Sequence, residues 1–169
     1  GGEVVLTAIP MYHIFALTVN TLSYFSFGAK NILITDPRDM RTLVDTWNNN
    51  RVTFFTGVNT LFNGLLHTPG FADIDFSALK LAIGGGAPVQ QAVAEKWHQV
   101  TGKWLYEGYG LSETSPVLTL NLGGDYGYVS GIGIPLPSTD IVIRDDAGNT
   151  LAQGEHGELC VQGPQVMAG

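Results

Sequence analysis

Residues 80–110, KLAIGGGAPVQQAVAEKWHQVTGKWLYEGYG, contain the pattern that decides the fold. An apolar run is followed by three glycines, an amphipathic segment and a second apolar run. The apolar residues of that segment recur on one face of a helix, and they are Val89, Val93, Trp97 and Val100. Pro88 falls in the predicted first turn of the helix and Gly102 just past its end. The stretch therefore predicts a strand, a crossover helix and a second, parallel strand.

The residues before this stretch repeat the same alternation. Apolar runs typical of strands occupy residues 4–9, 31–35, 52–58, 80–84 and 104–107. One predicted helix between them has an apolar face made by Met40, Leu43, Val44 and Trp47. Continuous apolar runs indicate a sheet that is buried on both faces, and such sheets are mostly parallel. We predict an α/β fold, a mostly parallel sheet with flanking helices, over residues 1–122, with ligands bound beyond the carboxyl ends of the strands.

A change of composition near residue 121 predicts a second module. Residues 123–139 are rich in glycine, proline and serine and are predicted to form a linker. Residues 141–144, the turn DDAGN and the alternating GELCVQG then resemble a β-hairpin. Residues 140–169 are thus predicted to begin a small β-barrel-like module. Both ends of the chain look cut, which predicts that the chain is a piece of a longer polypeptide.

Charge and cysteine content exclude several classes of partner. The net charge is −7 and there are only eight lysines and arginines, which argues against nucleic acid binding. A single cysteine excludes a disulfide framework and fits a reducing compartment. Residues 14–29 are apolar but interrupted by polar residues and fall short of the ~20 residues that span a bilayer. They are predicted to form a buried helix.

The first glycine-rich corner, GGGAPV, follows the strand at residues 80–84. Glycines let a ligand approach the backbone, and the following helix start presents free N–H groups. The corner lacks the Lys-Ser/Thr pair of a phosphate-binding P-loop. A tight strand-to-helix turn without a ligand is the competing interpretation.

The second corner, EGYGLSETSP, places an aromatic ring, a hydroxyl and a carboxylate within a few residues. Tyr109 stands between two glycines, so its ring face is open to a planar ligand. Ser112 and Glu113 could reach a phosphate and its Mg²⁺. Two alternatives remain, namely a solvated loop and the nucleophile elbow of a serine hydrolase, in which Ser112 would be the nucleophile.

A third feature, PMYHIFAL, follows the first strand. It places His13 at the same end of the predicted sheet. A lone histidine beside an apolar helix is more often structural than functional.

Taken together, PMYHIFA, GGGAPV, EGYGLSETSP and GELCVQGPQVMAG resemble the adenylate-forming (AMP-binding) superfamily, and most of all its bacterial long-chain fatty-acid CoA ligases. The resemblance covers essentially the whole chain. It implies an acyl-CoA synthetase that uses ATP, Mg²⁺, a fatty acid and coenzyme A. A carboxylate would first form an acyl-adenylate and then an acyl-CoA thioester.

The resemblance also implies roles for individual residues. Ser112, Glu113 and His13 would be the catalytic set, with Glu113 holding Mg²⁺. Adenine and AMP would be bound by Gly85, Gly86, Ala87, Glu107, Gly108, Tyr109 and Gly110. The acyl pocket would be formed by His13, Phe15 and Gly86. Ser112 stands where the family more often has threonine, and either residue supplies the hydroxyl.

Several parts of the family pattern are not among these 169 residues. They are the phosphate loop with its lysine, the acidic residue that binds ribose, the hinge, and the C-terminal lid with its lysine. We therefore expect the full-length protein to be an enzyme and residues 1–169 alone to be inactive. A non-catalytic nucleotide- or acyl-binding module is the alternative. The resemblance implies a cytoplasmic enzyme, with peripheral contact at the inner membrane left open.

Overall fold

The fold is built on a seven-stranded sheet in the order β2-β1-β3-β4-β5-β6-β7. The structure, a computed structural model, describes residues 2–121 and 127–168. The strands are β1 Val4–Thr7, β2 Lys30–Leu33, β3 Phe54–Gly57, β4 Leu81–Gly84, β5 Leu105–Gly110, β6 Val117–Asn121 and β7 Ile134–Pro135. The pairs from β2 to β5 are parallel, and β6 and β7 pair antiparallel. The predicted α/β fold with a mostly parallel sheet is confirmed.

Helices connect the parallel strands. They are a π-helix over Ala16–Ser23, α1 Tyr24–Ser26, α2 Met40–Asn48, α3 Asn59–Leu66 and α4 Gln91–Thr101. Asp39 begins α2, because its carboxylate accepts a hydrogen bond from the backbone N–H of Thr42 at 3.0 Å. Helix α4 ends at Gly102, which adopts the left-handed conformation with φ of 71°. The predicted stop at Gly102 is confirmed.

The main core lies between the sheet and helices α2, α3 and α4. Trp47 from α2 and Trp97 from α4 are almost fully buried, at 1% and 0% exposure. Trp97 packs edge-to-face on Phe62, and Trp47 packs at a tilt on Phe55 of β3, with ring centroids 5.0 and 4.7 Å apart. The apolar faces that the sequence predicted for α2 and α4 are thus the faces that pack on the sheet.

Two predicted details are wrong. Helix α4 begins at Gln91, so Pro88 lies ahead of it in the corner rather than in its first turn, because Gln90 is still extended. The helix predicted over residues 14–29 exists, yet its far end is not buried. Phe25 is 80% exposed and Phe27 72% exposed. No helix within residues 2–121 and 127–168 has the length and apolar character needed to cross a membrane.

The hairpin predicted after residue 140 is present. Strands β8 Asp140–Arg144 and β9 Glu158–Gln162 pair antiparallel in a sheet of their own, with Val142 opposite Cys160. The short strand β7 falls inside the predicted linker 123–139 and pairs with β6. Residues 123–126 of that linker lie outside the described residues. The division into two modules stays a prediction.

Candidate active site

The two glycine-rich corners touch each other. Strands β4 and β5 are neighbours, with Gly84 opposite Glu107. Gly85 comes next after β4, and a Cβ atom built on it would lie 3.3 Å from the carbonyl oxygen of Gly108. Even a methyl group at Gly85 would press on the carbonyl of Gly108, so the two corners lie against each other and form one wall at the carboxyl end of the sheet.

A cavity of about 280 Å³ lies against this wall. The predicted site residues that line it are His13, Phe15, Gly85, Gly86, Gly108, Tyr109, Gly110 and Ser112. Among the other predicted site residues, Ala87, Glu107 and Glu113 are not part of the lining. The structure adds Val19, Ile83 and Leu120, which the motifs did not indicate. The cavity thus has an apolar end beside the helix and a more polar end at the second corner.

The second corner is partly strand rather than loop. Strand β5 continues to Gly110 because it pairs with β6, whereas the apolar run had predicted an end at residue 107. The register shifts between Tyr109 and Gly110, a β-bulge that changes the direction of the following side chains. A Cβ on Gly110 would collide with the backbone of Pro116, so only glycine fits at this point. Tyr109 is half-buried here and forms one side of the cavity.

Ser112 and Glu113 lie on a tight turn, Ser112–Thr114, that a buried hydroxyl holds in place. Thr114 is 2% exposed; its hydroxyl accepts a hydrogen bond from the N–H of Leu111 at 2.9 Å and donates to the carbonyl of Pro116 at 2.5 Å. The side chains of Ser112 and Glu113 are exposed. The two side chains therefore reach solvent from a turn whose backbone is held in place by the hydrogen bonds of Thr114.

The same turn decides between two interpretations of Ser112. A nucleophile elbow requires a strand, a sharp turn at the serine and then an α-helix. Here a 3₁₀ turn follows the serine, and the chain then enters the antiparallel strand β6. This geometry differs from the elbow of a serine hydrolase.

Glu107 connects the second corner to the first. Its carboxylate accepts a long hydrogen bond, 3.4 Å, from the backbone N–H of Val89, the last residue of the first corner. Burial raises the pKa of Glu107, and this hydrogen bond acts in the opposite direction. The hydroxyl of Tyr128 donates to the carbonyl of the same Val89 at 3.1 Å. The hydrogen bond from Val89 to Glu107 thereby holds the segment that leads into α4 against β5.

His13 lies where the chain leaves β1 and turns into the π-helix. Its side chain is exposed, and its Nδ1 accepts a hydrogen bond from the backbone N–H of Phe15 at 3.2 Å. That contact makes Nδ1 the acceptor and leaves Nε2 to carry the proton when the ring is neutral. His13 therefore points a donor away from its own backbone.

A second cavity, of about 370 Å³, meets the first. Its lining includes Ile9 after β1, Val58 after β3, and Arg38 and Met40 near the start of α2. The strand order reverses between β1 and β3, and ligands of open α/β sheets bind at such a point. The residues shared by the two cavities are His13, Phe15, Gly85 and Gly86. These residues form a partition that a ligand could contact from either side.

Known proteins resemble this chain over its whole length. Residues 1–169 match the AMP-binding enzyme family. The chain is 53% identical over 169 residues to a long-chain-fatty-acid–CoA ligase of Yersinia pestis, covering 100% of this chain and 30% of that protein. It is 53% identical over 170 residues to the ligase of the same name from Salmonella typhimurium, again covering 100% of this chain and 30% of that protein.

A solved structure agrees with the fold. The benzoate CoA ligase from Burkholderia xenovorans LB400 superposes with a TM-score of 0.86 at 26% identity, over 99% of this chain and 34% of that one. The chain thus spans about 30% of the length of the curated relatives that it matches.

Proposed function

Because the chain belongs to the AMP-binding enzyme family, we propose that the protein of which it is part is an AMP-forming ligase that joins a long-chain fatty acid to coenzyme A. The observation that carries the proposal is the single cavity framed by both glycine-rich corners and the helix after His13. In the first step a carboxylate oxygen attacks the α-phosphorus of ATP, and pyrophosphate leaves. In the second step the thiol of coenzyme A, losing its proton, attacks the acyl carbon, and AMP leaves.

We assign the polar end of the cavity to the nucleotide. Tyr109 offers a half-buried ring against which adenine can stack. Gly85 and Gly86 carry no side chain, so a planar base could lie close to their backbone, and the backbone at Glu107 and Gly108 would meet its exocyclic amine. The hydroxyl of Ser112 lines the same cavity and would donate to the α-phosphate as negative charge develops there.

Glu113 fits the role of a Mg²⁺ ligand. Mg²⁺ in nucleotide sites is bound by one or two carboxylates together with phosphates and water. In the part of the chain that the structure describes, no three His, Cys, Asp or Glu side chains cluster as a metal site. A single exposed carboxylate on the rigid turn Ser112–Thr114 matches the sparse donor set that Mg²⁺ accepts. When bound, the ion would neutralise phosphate charge; Glu113 would hold it beside Ser112.

We assign the apolar end of the cavity to the acyl chain. Phe15, Val19 and Leu120 provide an apolar lining, and the carboxylate end would face Gly86 and His13. The exposed Nε2 of His13 would donate to a carboxylate oxygen and so orient it toward the nucleotide. Because the same cavity would also hold part of the nucleotide, a long tail would leave it at its apolar end.

The second cavity gives the acceptor thiol a route of its own. It reaches the partition of Phe15, Gly85 and Gly86 from the side of β1 and β3. A thiol that arrives there approaches the acyl carbon without displacing the nucleotide. Arg38 lines this cavity and is exposed; its Nε is paired with Asp36 at 3.1 Å, and the rest of its guanidinium group would meet the phosphates of coenzyme A.

We propose that residues 1–169 do not catalyse either step by themselves. The cavity is open to water, and only part of the phosphate-binding machinery of the family lies on this chain. Fatty-acid-dependent ATP–pyrophosphate exchange by residues 1–169 would refute this part of the proposal. A non-catalytic binding module is the alternative; it predicts that the full-length protein binds ATP without turning it over.

The test of function is an assay of full-length protein with ATP, Mg²⁺ and coenzyme A across saturated carboxylates of increasing length. We expect AMP release to depend on the carboxylate and to reach its highest kcat/KM with long chains. Release of AMP with benzoate or acetate in preference to long chains would refute the substrate class. Absence of AMP release with every carboxylate would refute the ligase.

A further inference from the structure

A cluster of polar side chains, buried except for the partly exposed Asn31, lies beneath the helix that borders the first cavity. We call it the Asn20 cluster; its members are Thr7, Asn20, Asn31 and Thr56. The amide nitrogen of Asn20 donates to the hydroxyls of Thr7 and Thr56 at 2.9 and 2.8 Å. Asn31 donates to the backbone carbonyl of Asn20 at 3.1 Å. One helical residue is thereby bonded to β1, β2 and β3.

Burial makes these hydrogen bonds obligatory. Asn20 and Thr56 are 0% exposed and Thr7 is 2% exposed. A buried polar group that loses its partner keeps the full cost of its desolvation. Apolar packing tolerates small shifts, whereas a hydrogen-bonded cluster in a core accepts one arrangement. The cluster therefore fixes the helix at one position on the sheet.

The helix has few other devices to fix that position. Ala16–Ser23 is a π-helix, and no side chain caps its first residues. Two of its side chains bond to carbonyls five residues back, the spacing of a π-helix: Thr21 donates to the carbonyl of Ala16 and Ser23 donates to the carbonyl of Thr18. π-helical segments are uncommon and are found frequently at functional sites. Without Asn20, apolar contacts such as those of Phe15, Ala16 and Val19 would remain to hold the helix against the sheet.

The position of this helix sets the wall of the cavity. Phe15 and Val19 line the cavity, and Ala16 and Asn20, each one residue further along, are buried toward the sheet. A rigid shift or rotation of the helix on the sheet moves both lining side chains together. The nucleotide end of the cavity is built from the first corner, β5 and the following turn, and none of the hydrogen bonds of the Asn20 cluster goes to these segments.

We propose that Asn20 is a positioning residue for the fatty acyl chain. It holds Phe15 and Val19 at the spacing that admits the chain, by tying the π-helix to the carboxyl ends of β1 and β3 and to β2. The proposal rests on the proposed function, because it assumes that the apolar end of the cavity receives the acyl chain. It predicts that loosening the cluster weakens carboxylate recognition and leaves nucleotide recognition intact.

The decisive variant is Thr56→Val in the full-length protein. It keeps the shape of the side chain and removes one partner of Asn20, whereas Asn20→Leu strands several polar groups at once and can prevent folding. We expect Thr56→Val to raise the KM for tetradecanoate about tenfold, because it removes both hydrogen bonds between Thr56 and Asn20. The KM for ATP should change less than about twofold, which corresponds to a negligible change in binding free energy. Thr56→Ser keeps the hydroxyl and should stay close to wild type in both constants.

Thr101→Val is the matched control. Thr101 is also a buried threonine, and its hydroxyl donates to the carbonyl of Trp97 at 2.9 Å, at the end of α4 and outside both cavities. Its loss should lower Tm without changing either KM. Equal increases of both KM values in Thr56→Val would overturn the proposal. So would an unchanged KM for tetradecanoate, or a Thr101→Val variant with the same selective increase.

A second measurement separates this inference from the proposed function. If wild-type protein forms no acyl-adenylate, the ligase proposal fails, and binding of a fluorescent long-chain fatty acid without ATP decides the role of the cluster. A Kd that rises about tenfold in Thr56→Val and stays unchanged in Thr101→Val would support it. Equal Kd values in both variants, or no binding by wild type, would overturn it.

Discussion

Phe15 packs directly against Gly85, and this contact joins the helix after His13 to the first glycine-rich corner. A Cβ atom on Gly85 would lie 3.0 Å from Cε1 of Phe15. Both residues line both cavities, so the contact is also the partition between them. A group added at Gly85 that overfills this contact therefore affects both cavities.

Substitution of Gly85 by alanine tests that partition. The added methyl group has to displace the Phe15 ring or the backbone at Gly108, and overpacking of this kind costs about 1–3 kcal/mol. We expect a lower Tm and a kcat/KM for long-chain carboxylates reduced about 5- to 150-fold, the factor that corresponds to this energy. Gly2→Ala is the control, because nothing lies within 4 Å of a Cβ at Gly2. Wild-type kinetics in Gly85→Ala would show that the partition does not limit the reaction.

Tyr109→Ala tests the adenine assignment in the full-length protein. Removing the ring removes a stacking contact of about 0.5–1.5 kcal/mol, so the KM for ATP should rise roughly 2- to 10-fold. Tyr109→Phe keeps the ring and should retain the wild-type KM. An unchanged KM for ATP in Tyr109→Ala would place adenine elsewhere.

Glu113→Gln tests the metal assignment. It removes the charge at constant shape on an exposed side chain, so Tm should not change. The rate of adenylation should fall about 100-fold or more, the range found when a preorganised electrostatic group is removed. Glu95→Gln on the exposed face of α4 controls for the loss of one carboxylate. Near wild-type ATP turnover in Glu113→Gln, at any Mg²⁺ concentration, would exclude the role.

Glu107 should make stability depend on pH in a definite direction. Burial raises the pKa of its carboxyl group above 4.5, so ionisation costs stability as the pH rises through the folded-state pKa. Glu107→Gln avoids this cost and can still accept the hydrogen bond from Val89. The variant should therefore have a higher Tm than wild type at neutral pH, and the difference should vanish below pH 4.5. A difference that is independent of pH, or a lower Tm at neutral pH, would contradict this.

The sequence predicted the sheet well because continuous apolar runs have one physical explanation. Phe54 and Phe55 in β3 are buried from both sides, and no polar alternation competes with that interpretation. Ends of elements were predicted less well. Gln90 stays extended after Pro88, and β5 runs to Gly110 because β6 pairs with it, a contact that no local pattern encodes.

Some residues of the candidate site could likewise be predicted from the sequence, and others could not. Tyr109 and Ser112 were visible because glycines and polar residues stand out in an apolar run. Val19 was not, since the helix that carries it is π-helical and departs from the ordinary period of 3.6 residues. Asn20 stood out only as a polar residue in the apolar run 14–29, predicted to face a tunnel or a missing neighbour; its actual partners, Thr7 and Thr56, come from other strands and meet it only in the folded chain.

The most direct test of the central claim is the position of adenine in a crystal structure of the full-length protein bound to a non-hydrolysable acyl-adenylate analogue. We expect the base to stack on Tyr109 beside Gly85 and Gly86, and the acyl chain to pass between Phe15 and Val19. An analogue bound outside the cavity between the two glycine-rich corners would contradict the account.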